Sequence, residues 1–315
     1  MSSNSSDHRE INFINLEEYG FKPLELEDKS VFAEKLEEIQ PIISEFTFTN
    51  LWMWREYYKF AWKLLYDGNI ILVSLHDHTK LIAFPMIGNY YNSILEELVS
   101  LNALFHLPIE VHRVPEKDLQ EIINVHPLTQ IIEDRDNWDY VYKKEDLLEL
   151  SGGNYEKIRR KLNKFEREYK TRVEVLSSDN AKLCLELQET WCDLRSCSDN
   201  PSLDNEDKGI RDILLNFNKL DYTGLLIFQK DKIIGFSIGE RLNTNTIIVH
   251  VEKGDTKYSG IYQALNHSFV EKCAANYKFV NREQDLGVEG LRRSKMEYNP
   301  DHFIKKYITR LSLKN

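Results

Sequence analysis

Three strand-like runs follow one another between residues 224 and 252, and they limit the fold more sharply than any other stretch of the chain. Residues 224–229, 232–241 and 245–252 are rich in Ile, Leu, Val and Phe. Asp231 stands in the first gap and Asn243-Thr244 in the second, residues suited to tight turns. Gaps this short join antiparallel neighbours, because a parallel pair needs a crossover of roughly a dozen residues or more. The segment is predicted to be an antiparallel meander. Two helices precede it. The first covers about 180–197, with Leu183, Leu187, Trp191 and Leu194 at helical spacing, and the second covers 206–217. Between them Asp199-Asn200-Pro201 reads as a loop. After the meander come a helix over 260–276, a short strand over 278–280, a polar loop, a short helix near 288–294 and a last strand over 303–313.

The first half alternates in a similar way. A helix is predicted over 30–39, then an aromatic-rich stretch containing Phe46, Phe48, Trp52, Trp54, Tyr57 and Tyr58. Strands follow over 61–66, 70–75 and 81–87, then a helix over 93–105, a strand over 110–114, a helix over 116–124 and a strand over 129–133. The Gly152-Gly153 pair among polar neighbours marks the break between two units. The organisation predicted is a disordered tail at 1–10, a first unit at 11–152, a basic linker helix at 153–172 and a second unit at 173–315. The fold class is α/β (α+β), each unit a mixed, mostly antiparallel sheet flanked by helices.

Charge bounds the function. Lys and Arg number 41 against 51 Asp and Glu, a net charge of −10, which argues against a protein that coats nucleic acid. One helix breaks the average. Over 155–170, Tyr155, Ile158, Leu162, Phe165 and Tyr169 form one apolar stripe, and seven cations face three glutamates. Lys157, Arg160, Lys161, Lys164 and Arg167 are the candidates for contacting tRNA phosphates or another polyanion, since such binding scales with the cations on one face. A solvated surface helix is the plainer reading.

No apolar run approaches the roughly 18 residues that span a bilayer, and the polar N-terminus lacks a secretory signal. A cytoplasmic protein is expected, with Cys184, Cys192, Cys197 and Cys273 as reduced thiols. The cluster His76-Asp77-His78 reads as a surface turn, and no metal site is expected. Nucleophile elbow, Walker loop and dinucleotide fingerprint are all missing from the sequence.

The densest polar constellation runs from Asn281 through Arg282, Glu283, Gln284 and Asp285 to Gly287, and on to Arg292 and Lys295. It follows a predicted strand, the position where α/β folds place their chemistry. Asp285 or Glu283 is the candidate base, or the partner of an ammonium group. Arg292 and Lys295 are candidates for an oxyanion or phosphate, with Asn281 and Arg282 beside them as binding residues. His250, Glu252 and Lys253 end the third meander strand, and period-two spacing predicts one shared face for His250 and Glu252. A salt-bridged cap tying the last helix to the sheet is the structural alternative for the 281–295 block.

Four blocks carry a family likeness: Phe48-Thr49-Asn50-Leu51-Trp52-Met53-Trp54, Trp138-Asp139-Tyr140-Val141-Tyr142, Tyr155 to Phe165, and Asn281 to Gly287 with Gly290-Leu291-Arg292, Lys295 and Pro300. In these blocks the chain resembles the bacterial family labelled phosphatidylglycerol lysyltransferase C-terminal domain. The resemblance implies tandem acyltransferase (GNAT-like) units joined by a basic helix. It also implies a soluble aminoacyl- or acyl-group transferase. Its donor would be aminoacyl-tRNA or another acyl donor, its acceptor a small amine or hydroxyl, and no cofactor is implied. The true synthases carry a membrane domain of several helices, which these 315 residues lack. Before the 260–276 helix the chain reads Lys257-Tyr258-Ser259-Gly260-Ile261-Tyr262, with one glycine where enzymes using coenzyme A have a glycine-rich pyrophosphate loop. The alternatives are an N-acyltransferase using coenzyme A through a divergent loop, or a non-catalytic binding module on the same fold.

Overall fold

The computed structural model describes residues 16–311, apart from 75–78, 86, 90, 106, 107 and 128. The predicted tail and the His76-Asp77-His78 cluster lie outside the described residues. In chain order the elements are β1 (Lys22–Pro23), α1 (Lys29–Ile39), α2 (Phe48–Tyr58), β2 (Phe60–Leu64), β3 (Ile70–Ser74), β4 (Leu81–Ala83), α3 (Tyr91–Phe105), β5 (Ile109–Pro115), α4 (Leu119–Val125), β6 (Gln130–Glu133), β7 (Asp139–Lys143) and α5 (Lys144–Glu149). Then come α6 (Glu156–Glu168), β8 (Thr171–Val175), α7 (Ala181–Arg195), α8 (Pro201–Leu215), β9 (Tyr222–Gln229), β10 (Lys232–Arg241), β11 (Thr246–Gly254), α9 (Ile261–Cys273), β12 (Phe279–Asn281), α10 (Glu289–Met296), β13 (His302–Ile304) and β14 (Lys306–Leu311).

The strands form two seven-stranded sheets, ordered β1-β2-β3-β4-β5-β14-β6 and β13-β7-β12-β11-β10-β9-β8. The meander is present, β9 to β10 to β11, antiparallel throughout. The sheets do not follow the glycine break at 152–153. β7 precedes that break yet lies between β13 and β12, and β14 closes the chain yet lies between β5 and β6. The single strand expected over 303–313 divides at Lys305, one piece in each sheet.

Three cores follow from this arrangement. One outer core packs α3 and α4 on the first sheet, through Leu95, Leu98 and Ile122. The other outer core packs α5, α6 and α9 on the second sheet, through Leu147, Leu162 and Phe269. The central core lies between the sheets, where α1 and α2 meet α7 and α8 through Phe32, Trp52, Leu187 and Ile213. The crossing of α2 and α8 is close: a Cβ on Gly209 would stand 2.5 Å from the Met53 carbonyl oxygen. Only glycine fits there.

Two further expectations need correction. The second helix of the second unit starts at Pro201, five residues before the expected 206. Asn200 caps it by accepting the Ser202 and Leu203 N–H groups, so Asn-Pro is a helix start here and not a loop. The cysteines are not all reduced. Ser196 ends α7 in the left-handed conformation and turns the chain back, which brings the Cα atoms of Cys192 and Cys197 to 5.0 Å, and the two form a disulfide. Cys184 and Cys273 are free thiols. Among the described residues, no helix is long and apolar enough to cross a membrane.

Candidate functional site

The site begins with an irregularity in β11. Val251 pairs with Ile238 and Val249 with Gly239, so His250 is an extra residue, a β-bulge. A one-residue insertion reverses the alternation of side chains. His250 therefore faces the central core, and Glu252 faces the outer core with α9. The shared face expected for this pair is wrong for that reason. A second feature adjoins the bulge. β11 and β12 run parallel only from Thr246–Phe279 to Ile248–Asn281. β12 stops there while β11 continues to Gly254, so the two strands part and, among the described residues, one edge of β11 is left without a strand partner.

On the central face, His250 is 1% exposed at its side chain. Its Nδ1 lies 2.8 Å from Glu283 Oε1, and its Nε2 lies 3.4 Å from Glu240 Oε2 and 3.3 Å from Thr47 Oγ1. Burial pulls the ring's pKa down, but the two glutamates outweigh it and raise it to about 9. The ring is an imidazolium at neutral pH and serves as a donor. Glu283 also accepts from Asn50 Nδ2 at 3.2 Å, and its side chain remains 20% exposed.

Asn281 is fully buried; it donates to Asp139 Oδ2 at 3.1 Å and accepts the Glu283 N–H at 2.8 Å. It thereby leads into an ionic network between the sheets. Lys306, fully buried, donates to Asp139 Oδ1 at 2.7 Å, Glu45 Oε2 at 2.6 Å and Ser44 Oγ at 3.1 Å. Arg113 joins Glu45 to Asp134 at 3.2 and 2.7 Å. Burial raises the Asp139 pKa against the opposing pull of Lys306. Burial pushes Glu45 the same way, but Lys306 and Arg113 outweigh it and hold Glu45 below the usual carboxylate range.

The outer face holds Arg282 and Lys295. Arg282 donates to Glu252 Oε2 at 2.7 Å and lies 4.6 Å from the Tyr298 ring centre. Lys295 is half-buried, and its ammonium meets the Arg282 carbonyl. Burial and the adjacent Arg282 charge bring its pKa down to about 8. Lys253 points elsewhere, to Glu206 at 2.8 Å and over the Trp191 ring at 3.7 Å.

Asp285 is fully buried and does not join Glu283. It accepts from Arg292 Nε at 2.9 Å and Nη2 at 2.8 Å, Tyr140 Oη at 2.5 Å, Arg135 at 3.2 Å and the Gly287 N–H at 2.9 Å. Burial pushes its pKa up, but these bonds, led by Arg292, bring it to about 2. A carboxylate so held is a weak base. Arg292 is bound in turn to Asp136 at 2.7 Å. The geometry is that of the salt-bridged cap between α10 and the sheet.

The helix α6 is packed down. Ile158, Leu162 and Phe165 are buried, while Lys157, Arg160, Lys161, Lys164 and Arg167 are all exposed. A Cβ on Gly260 would stand 2.7 Å from the Lys161 carbonyl oxygen. The one glycine before α9 is required by this contact. Among the described residues, no group of three or more His, Cys, Asp or Glu is placed to hold a metal ion.

The residues that sequence reasoning passed over are Ser44, Glu45, Arg113, Asp139, Glu240 and Lys306. Asp139 and Lys306 are the first residues of β7 and β14, and nothing local in the sequence sets them apart from other charged residues at strand ends. The partners that satisfy them lie far away in sequence, Lys306 being 167 residues from Asp139.

Comparison with known proteins agrees with this architecture. A conserved protein of unknown function from Bacteroides thetaiotaomicron is 27% identical, with a TM-score of 0.87 over 93% of this chain and 99% of that one. The structure of L-PGS from Bacillus licheniformis aligns with a TM-score of 0.66 and 14% identity over 94% of each chain, a likeness of fold. An uncharacterised protein of Mycoplasmoides gallisepticum is 27% identical over 177 residues, 55% of this chain. The match spans 56% of that relative's length. The two mixed sheets with their flanking helices are also the fold of FemX, which aligns with a TM-score of 0.54 and 10% identity over 93% of this chain and 97% of that one. The family model described as phosphatidylglycerol lysyltransferase, C-terminal, matches residues 36–310, and the chain belongs to that family.

Proposed function

We propose that the chain is an acyl- or aminoacyl-group transferase whose reaction takes place where β11 and β12 part. The observation that carries this reading is that parting itself, beside the His250 bulge, with a carboxylate on one side and two cations on the other. The unpaired edge of β11 offers backbone groups to an extended acyl donor. An amine or hydroxyl acceptor attacks the donor's ester carbonyl, and the ester C–O bond then breaks. Glu283, held by His250 and Asn50, orients the acceptor and takes its proton. Arg282 and Lys295 balance the charge that develops on the carbonyl oxygen. A pKa near 8 lets the Lys295 ammonium hand a proton to the leaving oxygen near neutral pH. Asp285 and Arg292 hold α10 in place and take no part in proton transfer. The exposed cations of α6 bind the phosphates of an aminoacyl-tRNA donor, consistent with the lysyl transfer named in the family description.

The test is direct. Protein is mixed with tRNA charged with a labelled amino acid and with a panel of amines and hydroxyl-bearing lipids. Label is expected to move to an acceptor, and Glu283→Gln or Lys295→Met is expected to slow transfer by about 100-fold or more. Absence of transfer from every charged tRNA, together with tRNA binding that ignores salt, would sink the reading.

A further inference from the structure

The backbone at Glu283 is left-handed, with φ at +56°. For a residue with a side chain that conformation is costly, and it persists only where the surroundings over-determine it. Bonds on both sides do so here. The Tyr140 N–H of β7 donates to the Glu283 carbonyl at 3.2 Å, and the Arg282 N–H donates to the Tyr140 carbonyl at 2.9 Å. The Glu283 N–H is taken by a side chain, Asn281 Oδ1, at 2.8 Å. One residue further on, Gln284 Nε2 donates to Ser44 Oγ at 2.9 Å and to Glu45 Oε1 at 2.8 Å. Asn281 and Gln284 thus end on one anchor. Asn281 Nδ2 reaches Asp139, Gln284 reaches Ser44 and Glu45, and the Lys306 ammonium joins all three in the interior. Asn281 is fully buried with both ends of its carboxamide engaged, which places it out of a substrate's reach.

We propose that Asn281 and Gln284 are positioning residues that hold Glu283 in its left-handed turn, and that the buried Asp139–Lys306–Glu45 network is the anchor from which they do so. The inference rests on the transferase reading, in which Glu283 takes the acceptor's proton. Lys306 belongs to β14 of the first sheet and Asn281 to β12 of the second, so contact between the sheets sets where the Glu283 carboxylate stands. A reacting group displaced by about 1 Å can lose about 100-fold in rate. A merely structural role would make Asn281 and Gln284 matter to stability alone. A positioning role makes them matter to the place of the carboxylate, and His250 reports that place, because Glu283 Oε1 lies 2.8 Å from its Nδ1.

The experiment follows the His250 ring by NMR in full-length protein labelled at histidine, with His250→Gln to identify its resonance. The groups facing the ring are Glu283, Glu240 and the Thr47 hydroxyl. In the wild type the ring should titrate near pH 9. Glu283→Gln removes one of the two carboxylates and should lower that midpoint by about one pH unit or more. Asn281→Ala and Gln284→Met should each lower it by at least half as much, as the carboxylate drifts from the ring. Both variants should fold, since Asp139 Oδ2 keeps the Ser44 N–H at 2.8 Å and Gln284 is only partly buried. Cooperative thermal unfolding checks this. In the transfer assay both should lower kcat by about tenfold or more and leave KM within about twofold. An unshifted ring in either folded variant overturns the inference, and so does an unchanged kcat beside a shifted ring. The two readings fail separately. A wild type that transfers nothing, with the ring shifted in the variants, removes the transferase and keeps the positioning of Glu283. Transfer by the wild type with an unshifted ring in the variants does the reverse.

Discussion

Burial alone would keep the His250 ring neutral, yet Glu240 and Glu283 hold it as a cation up to about pH 9. The folded-state pKa thus lies above the ordinary value of 6.5. The stability this supplies is complete below about pH 6.5 and is lost as pH rises through 9, and the shift corresponds to about 3 kcal/mol. The margin by which the urea midpoint of the wild type exceeds that of His250→Gln should therefore shrink between pH 6.5 and 9.5, a difference in which the opposite contribution of Lys295 cancels. Parallel curves would show that the ring is not charged. Lys306 poses the same question in a simpler form. Lys306→Met leaves Asp139 and Glu45 facing each other in the interior, and removing one partner from such a network costs about 3–5 kcal/mol. A loss below about 1 kcal/mol in denaturant titration would mean that water reaches the network. Little of this was legible at the level of single residues. The 281–295 block drew attention correctly as a polar cluster after a strand. That Asp285 is an anchor and Glu283 a partner of His250 depends on Arg292, Tyr140 and Asn50, which only the folded chain brings close.

Elements were more legible than their irregularities. Periodicity located the meander, α6 and α9, because each pattern is long enough to outweigh local noise. The His250 bulge left no mark, since one extra residue in a strand of apolar neighbours looks like more strand. Asn200-Pro201 was visible and misread, because the same dipeptide starts helices and ends them. Two predictions belong to elements. Asp285→Asn should cost about 2 kcal/mol, the worth of charged hydrogen bonds, and hydrogen exchange should quicken through residues 286–296. Abolished transfer with unchanged exchange would restore Asp285 as a base. In α6, the triple change of Arg160, Lys164 and Arg167 to Ala touches only exposed side chains. Stability should move by less than about 0.5 kcal/mol per site. The slope of log affinity for tRNA against log salt should fall by about 2 to 3 if these cations meet phosphates. An unchanged slope would leave α6 a solvated surface.

At the scale of the whole molecule, the change of sequence pattern at Gly152-Gly153 suggests a division there, but the two sheets are interleaved across it. β7 and β14 cross in opposite directions, and each is an interior strand of the sheet it joins. Such pairings between distant segments leave no local periodic trace. Residues 16–152 and 153–311 expressed apart should each fail to unfold cooperatively, and co-expression should restore a single transition. A cooperative transition in either half alone would show that the exchanged strand is dispensable.

The place of β14 also sets a timetable for synthesis. Its neighbours β5 and β6 are complete once residue 133 has been made, but the strand that separates them ends at residue 311. At about 5–20 residues per second, the ribosome leaves their facing edges open for roughly 10–40 seconds. Over that interval the nascent chain presents two unpaired strand edges to every other chain nearby. The sheet begun first is thus left open until late in synthesis, and its yield in the cell depends on what shields those edges until β14 arrives.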